Sequence, residues 1–313
     1  MNGNAACVGI TREITLGTSN LRRRILSGSF VLTAEITPPL SADPNELLER
    51  ALPLKGLADA VNVTDGASAR AHLESTVAAS LLLQNGIEPI LQLTCRDRNR
   101  IALQSQLVGA SALGIVNVLA LTGDDPKQGD QPDAKPVFDL DSSGLVATAA
   151  TIRDKHQLPH GRAVGGNPDY FIGVADGPID PPPGWQPASL KKKIDAGAQF
   201  AQTQFCMDTG VLRRYVARLG ELGLLADFKM LVGVAPLASA KSARWIVNNL
   251  KGSIVPDWIV ARLEAASDPR AEGEAICVDL LAEMREIAGV GGAHIMAPLN
   301  DAAIPRVIAK VRG

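Results

Sequence analysis

The feature that most restricts the fold is an alternation. Short apolar runs with strand character recur along the chain, and a segment with helical character follows each one. The runs cover residues 30–36, 59–64, 88–94, 115–121, 170–175, 198–205, 228–234 and 293–296. Most are continuously apolar, the pattern of strands covered on both faces of a parallel sheet. The helical segments cover residues 43–57, 68–84, 98–113, 142–156, 188–196 and 210–222. Three more follow in a row at 239–249, 256–265 and 271–288, and a last one at 303–310. Eight strand–helix units in one 313-residue chain predict a single α/β domain, a (β/α)8 TIM barrel, which typically takes about 250 residues. A doubly wound open sheet is the competing topology.

Residues 1–28 read as an N-terminal extension ahead of a barrel over 29–313. Within it, Ser19 or Asn20 is placed to cap a short helix over 21–26 that Gly28 ends. The least regular stretches are 123–141 and 159–169, and long connections of this kind usually cover active sites.

With 46% hydrophobic and 20% charged residues the chain can bury a large core. A formal net charge of −2 provides no field to hold nucleic acid or an anionic membrane. The four cysteines, Cys7, Cys95, Cys206 and Cys277, form no Cys-x-x-Cys pair, and there are four histidines. That argues against a disulfide framework and against a metal site. There is neither a signal-peptide pattern nor an apolar run approaching the roughly 20 residues that span a bilayer, so a cytoplasmic setting is expected.

In a barrel, chemistry gathers where the strands end. The predicted ends supply Glu35; Asn62, Thr64 and Asp65; Gln92, Thr94, Cys95 and Arg96; Thr122, Gly123, Asp124 and Asp125; Asp176; Thr203 and Gln204; Pro236; and His294 with Met296. Glu35 sits in the otherwise apolar Val31-Leu32-Thr33-Ala34-Glu35-Ile36. A carboxyl withdrawn from water holds its proton more tightly, which suits a general acid near neutral pH. The competing reading is a glutamate satisfied by a core arginine or by backbone donors. Asp124 follows a glycine that permits close approach to a ligand, and its carboxylate accepts N–H groups; Gly-Asp-Asp-Pro is equally ordinary turn chemistry. Gln204 can donate and accept together, as a heterocycle edge or the barrel backbone would ask. Arg96, Arg98 and Arg100 suit an anion or neighbouring acids such as Asp97. His294 reads as structural. Gly289-Val290-Gly291-Gly292 joins a helix to a strand, the reverse of the order a phosphate loop needs.

Taken in order, several strand-end motifs resemble the methylenetetrahydrofolate reductase family. They are Thr33-Ala34-Glu35-Ile36-Thr37-Pro38-Pro39, Val61-Asn62-Val63-Thr64-Asp65-Gly66-Ala67, Leu91-Gln92-Leu93-Thr94-Cys95, Leu119-Ala120-Leu121-Thr122-Gly123-Asp124, and Lys193-Ile194-Asp195-Ala196-Gly197-Ala198 running on to Thr203-Gln204-Phe205. The resemblance implies a barrel that binds FAD at the strand C-termini. NADH or NADPH reduces the flavin, and hydride passes on to methylenetetrahydrofolate. It implies Glu35 as the acid that protonates the departing folate nitrogen, Asp124 as a catalytic contact to the pterin and flavin, and Gln204 as a folate ligand. Thr64, Gln92, Thr94, Thr122, Gly123, Asp124, Asp176 and Lys193 fall at cofactor-binding positions. The chain departs from the family at several of these: Gln92 replaces a histidine, Thr122 an arginine, and Asp301 stands near an expected arginine. The alternative is therefore a folate-binding methyl-transfer protein, or a partner-dependent barrel, without tight flavin. A homo-oligomer or an electron-donating partner protein is compatible with either.

Overall fold

A computed structural model describes residues 19–298 and 300–313. Most of the expected N-terminal extension, with Cys7, lies outside the described residues. The elements alternate as α1 (Asn20–Leu26), β1 (Val31–Ile36), α2 (Pro44–Ala51), β2 (Ala60–Val63), α3 (Ser75–Gln84), β3 (Pro89–Thr94), α4 (Arg100–Ala112), β4 (Asn117–Leu121), α5 (Ser142–Lys155), β5 (Phe171–Asp176), α6 (Ala188–Asp195), β6 (Phe200–Phe205), α7 (Thr209–Glu221) and β7 (Lys229–Val234). Then come α8 (Ala240–Asn249), α9 (Asp257–Ala265), α10 (Pro269–Arg285), β8 (Val290–Ile295) and α11 (Ala303–Arg312). The strands pair in sequence order and close into a barrel of eight. β8 returns to β1 in parallel, with Val31 opposite Gly292 and Thr33 opposite His294. The (β/α)8 expectation holds, and the open sheet is excluded.

Side-chain alternation along each strand divides the core. Leu32, Ala34 and Ile36 of β1 face outward into the layer shared with the helices. Val31 faces the barrel interior with Ala60, Ile90, Leu119, Phe171, Phe200 and Leu231. The Phe171 and Phe200 rings stack at 4.8 Å. They need Gly173, because a Cβ there would lie 2.3 Å from the Phe200 ring.

The N-terminal end of the barrel is plugged by α1. Leu21 and Ile25 insert into the interior cluster. Ser19 caps the helix by accepting from the Arg22 N–H. The Glu88 carboxylate accepts from the backbone N–H groups of Asn20 and Leu21 at 2.9 and 3.0 Å, an anion placed on a helix N-terminus. Asp59 accepts from the Leu32 N–H at 2.7 Å and pairs with Arg24 and Arg312, tying the first and last helices to one strand start.

Four sequence expectations shift. The helix expected from 68 starts at Ser75, where Glu74 caps it by accepting from the Val77 N–H. Ser68 and Ala69 before it are left-handed, at φ 55° and 54°, which no helix accommodates. α2 stops at Ala51 because Pro53, inside the 3₁₀ turn Leu52–Leu54, has no N–H for a helical bond. β8 begins at Val290, not 293, so the glycine run is strand. A Cβ at Gly292 would stand 2.2 Å from the Val31 carbonyl oxygen, so two strands touch there. The irregular stretch 159–169 joins α5 to β5 and so lies at the plugged end, where Asp169 pairs with Arg22 at 2.7 Å. It cannot cover a site at the strand C-termini. The stretch 123–141 joins β4 to α5 and does lie at that face.

Candidate active site

The open mouth is built from inward-facing positions near the strand ends. Glu35 follows Val31 and Thr33 on the inward face of β1. Its side chain is 25% exposed, so it is half-buried rather than sealed in an apolar strand. Its Oε2 accepts from Gln92 Nε2 at 3.1 Å and lies 3.4 Å from His294 Nε2. Neither an arginine nor a backbone donor satisfies it; Oε1 has no partner among the described residues. Gln204 shares the inward face of Gln202 and is half-buried. Its Oε1 accepts from the Phe205 N–H at 3.0 Å, so its amide N–H₂ is left over for a ligand. A register irregularity between Gln202 and Phe205 sets this geometry. Thr203 Oγ1 accepts from the Gly233 N–H at 2.9 Å, and a Cβ on Gly233 would meet the Gln204 carbonyl oxygen at 2.7 Å. Thr64 shares the inward face of Asn62. Its hydroxyl is buried without a hydrogen-bond partner among the described residues, which is costly unless a ligand supplies one. Asp124 is exposed, three residues beyond β4.

The other positions singled out from the sequence have protein partners. Thr94 donates its hydroxyl to Asp65 Oδ2 at 2.9 Å. Thr122 Oγ1 accepts from the Ser142 N–H that opens α5. Lys193 Nζ donates to the Ala175 carbonyl oxygen at 2.7 Å, and burial pulls its pKa down against the charges of Asp176 and Asp141. Asp176 accepts from the Tyr215 hydroxyl of α7 at 2.6 Å. Burial raises its pKa, and that hydrogen bond only partly offsets the rise. Gly123, at φ 94°, lets the chain fold over β3: a Cβ there would meet the Arg96 Cβ at 2.9 Å.

The arginine cluster pairs with acids. Arg98 grips Asp65 through both terminal nitrogens, at 2.5 and 2.8 Å. Arg96 takes Asp97, and Arg100 takes Asp139. Burial pushes the Asp65 carboxyl up, but the hydrogen bonds and charge of Arg98 with the Thr94 donors prevail, and its pKa lies below the ordinary value. Burial holds the Cys95 and Cys206 thiols protonated near neutral pH, raising Cys95 to about 11 and Cys206 to about 12. Among the described residues no group of three or more His, Cys, Asp or Glu is placed to hold a metal ion, and no helix is long and apolar enough to cross a membrane.

Sequence reasoning passed over Thr33 and Gln202 and set His294 aside. The available signal was a polar residue two positions before a strand-end polar residue: Thr33 before Glu35, and Gln202 before Gln204. In a barrel that spacing stacks two polar groups on the inward face.

The model of the methylenetetrahydrofolate reductase family matches residues 20–312. The chain belongs to that family. The 5,10-methylenetetrahydrofolate reductase of Pectobacterium carotovorum subsp. carotovorum is 27% identical over 304 residues, 92% of either chain. The methylenetetrahydrofolate reductase (NADH) 1 of Arabidopsis thaliana is 28% identical over 267 residues, 82% of this chain but 43% of the plant protein. Of solved structures, an uncharacterized Clostridium thermocellum protein described as binding two copies of 5-methyl-5,6,7,8-tetrahydrofolic acid superposes with a TM-score of 0.66. It is 15% identical and covers 93% of this chain; at that identity the likeness is one of fold. Within the mouth of this family member, Glu35 and Gln204 keep atoms without a partner among the described residues, whereas Thr94, Thr122, Asp176 and Lys193 bond within the protein.

Proposed function

We propose that the chain reduces 5,10-methylenetetrahydrofolate to 5-methyltetrahydrofolate at the expense of NADH or NADPH, with Glu35 as general acid. The observation that carries this reading is the Glu35 carboxyl. It lies at the barrel mouth with Oε2 held by Gln92 and beside His294, and with Oε1 unpartnered. A proton given from Oε1 to the bridging nitrogen of the folate opens the five-membered ring to an iminium. Hydride addition to that carbon gives the methyl group. The balance is one NAD(P)H and one proton consumed per methyl formed. The leftover amide of Gln204 and the carboxylate of Asp124 suit the mixed donor and acceptor edge of a pterin.

FAD fits this mouth at Thr64, whose buried unpartnered hydroxyl asks for a ligand, and at the neighbouring inward position Gln92. Those two residues would hold it; bound there, a flavin supplies a hydride carrier between nicotinamide and folate. Self-satisfaction at Thr94, Thr122, Asp176 and Lys193 favours a loose grip.

The test is the absorption spectrum of the purified chain, followed by assay of NADH and NADPH oxidation with and without methylenetetrahydrofolate. Folate-dependent oxidation that yields 5-methyltetrahydrofolate is expected. A colourless protein that binds folate but never consumes either nucleotide replaces this reading with a folate carrier or methyl-transfer role.

A further inference from the structure

Beneath Glu35 lies a layer of four polar side chains: Thr33 of β1, Asn62 of β2, Gln202 of β6 and His294 of β8. Their exposures are 0, 0, 3 and 3%. Apolar side chains would fill this layer without the desolvation cost of polar groups, as they do in the layer below. The four satisfy one another. Asn62 Nδ2 donates to Gln202 Oε1 at 2.5 Å, and Gln202 Nε2 donates back to Asn62 Oδ1 at 2.9 Å. Gln202 Nε2 also lies 3.3 Å from His294 Nδ1, and Thr33 Oγ1 lies 3.0 Å from the same nitrogen.

Gln202 Nε2 also reaches Thr33 Oγ1 at 3.3 Å, and that hydroxyl reaches the Ala293 carbonyl oxygen at 3.3 Å, so these contacts can be satisfied with either ring tautomer. In the one taken up here the amide nitrogen, which only donates, gives to Nδ1 of His294 and makes it the acceptor. A neutral imidazole that accepts at Nδ1 carries its hydrogen on Nε2. That N–H faces Oε2 of Glu35, 3.4 Å away. Gln92 Nε2 donates to the same oxygen at 3.1 Å. With that tautomer two donors converge on Oε2, and a proton on that oxygen would collide with both.

We infer that His294, oriented from below by Gln202, is a positioning residue that reserves Oε1 of Glu35 as the seat of the acidic proton. The residue touches no substrate. It acts by deciding which carboxyl oxygen is acidic and where that oxygen points. The inference rests on the reading of Glu35 as the acid, and the test separates the two.

The test has two arms. In the first, the full chain is labelled with ¹⁵N-histidine, and the His294 tautomer is read by NMR in wild type, Gln202→Leu and Glu35→Gln. The expected result is the Nε2–H tautomer in wild type, mixed tautomers in Gln202→Leu, and a displaced Nε2 resonance in Glu35→Gln. A wild-type Nδ1–H tautomer overturns the inference, whatever the enzyme does. In the second arm, His294→Leu and His294→Gln are compared in the folate half-reaction. His294→Leu should lose about tenfold or more in kcat with KM nearly unchanged, as expected when a reacting group is misplaced. His294→Gln restores an N–H donor and should recover much of the rate. Equal loss in the two variants, or an unchanged kcat in His294→Leu with its fold intact by circular dichroism, overturns the inference. A wild-type chain that never reduces the folate instead removes the proposed function, and the tautomer arm still reads out.

Discussion

The two ends of this barrel are made from the same eight strands and treat polar groups in opposite ways. At the plugged end the half-buried Glu88 and the buried Asp59 are both saturated. Glu88 takes Ser19, Asn20, Leu21 and Asn117, and Asp59 takes Leu32, Arg24 and Arg312. At the mouth, Thr64 has a buried hydroxyl without a partner, Gln204 has a spare amide, and Glu35 has a spare oxygen. A saturated polar group contributes stability, whereas an unsatisfied one costs it until a ligand arrives. The plug holds the barrel shut, and the mouth keeps bonding capacity for a substrate.

The sharpest way to break this contrast is Glu35→Gln. Loss of a general acid should lower folate reduction by about 10²- to 10⁴-fold, with the denaturation midpoint almost unmoved. Single-turnover assays and urea melts measure the two. An enzyme that keeps its rate removes the mouth from the chemistry. The converse change is Glu88→Ala, which leaves the N–H groups at the start of α1 without an acceptor. A loss of about 2–3 kcal/mol is expected from chemical denaturation, with the rate per folded molecule unchanged. A comparable loss of rate would mean that the two ends are coupled.

Thr64→Val sharpens the contrast further. It removes a hydroxyl that bonds nothing in the protein, so stability should stay level or rise slightly. Flavin affinity should fall roughly fivefold to tenfold, the worth of one hydrogen bond, measured by fluorescence titration with FAD. Unchanged affinity would take Thr64 out of the flavin site.

The smallest effect is expected at a mouth residue that behaves like the plug. Asp65, held by Arg98 and Thr94, has its folded pKa below the ordinary aspartate value. Its contribution is therefore complete above the unfolded pKa and is lost as pH falls through the lower folded pKa. Urea melts from pH 7 down to pH 2 should show Asp65→Asn destabilised at neutral pH, with the gap to wild type narrowing as the medium is acidified. A gap that stays constant with pH would show that geometry, and not charge, is what Arg98 supplies.

Much of the architecture is legible in the sequence. Mostly apolar runs between helical segments place β1 to β7 within a few residues, because a strand covered on both faces is predominantly apolar. Exceptions have local causes. Pro53 cuts α2 short, left-handed Ser68 and Ala69 delay α3, and the glycines of β8 look like a loop until their close contact with Val31 is seen. The candidate site was legible in part. Glu35 is conspicuous because a charge in an apolar strand demands an explanation, and Gln204 and Asp124 because they stand at strand ends. The partners of Thr94, Thr122, Asp176 and Lys193 were not legible, since each bond depends on how neighbouring elements meet.

By itself the order of residues determined the number of strands and their parallel arrangement, and it marked the carboxyl at position 35 as a group to be explained, because periodicity and burial cost act along the chain. Tertiary structure alone decided that Gln92 and His294 meet one oxygen of Glu35 from 57 and 259 positions away. It also decided that one irregular connection lies at the plug and the other at the mouth. Those outcomes follow from barrel closure, which brings distant strands to one axis and has no signature in any local stretch of sequence.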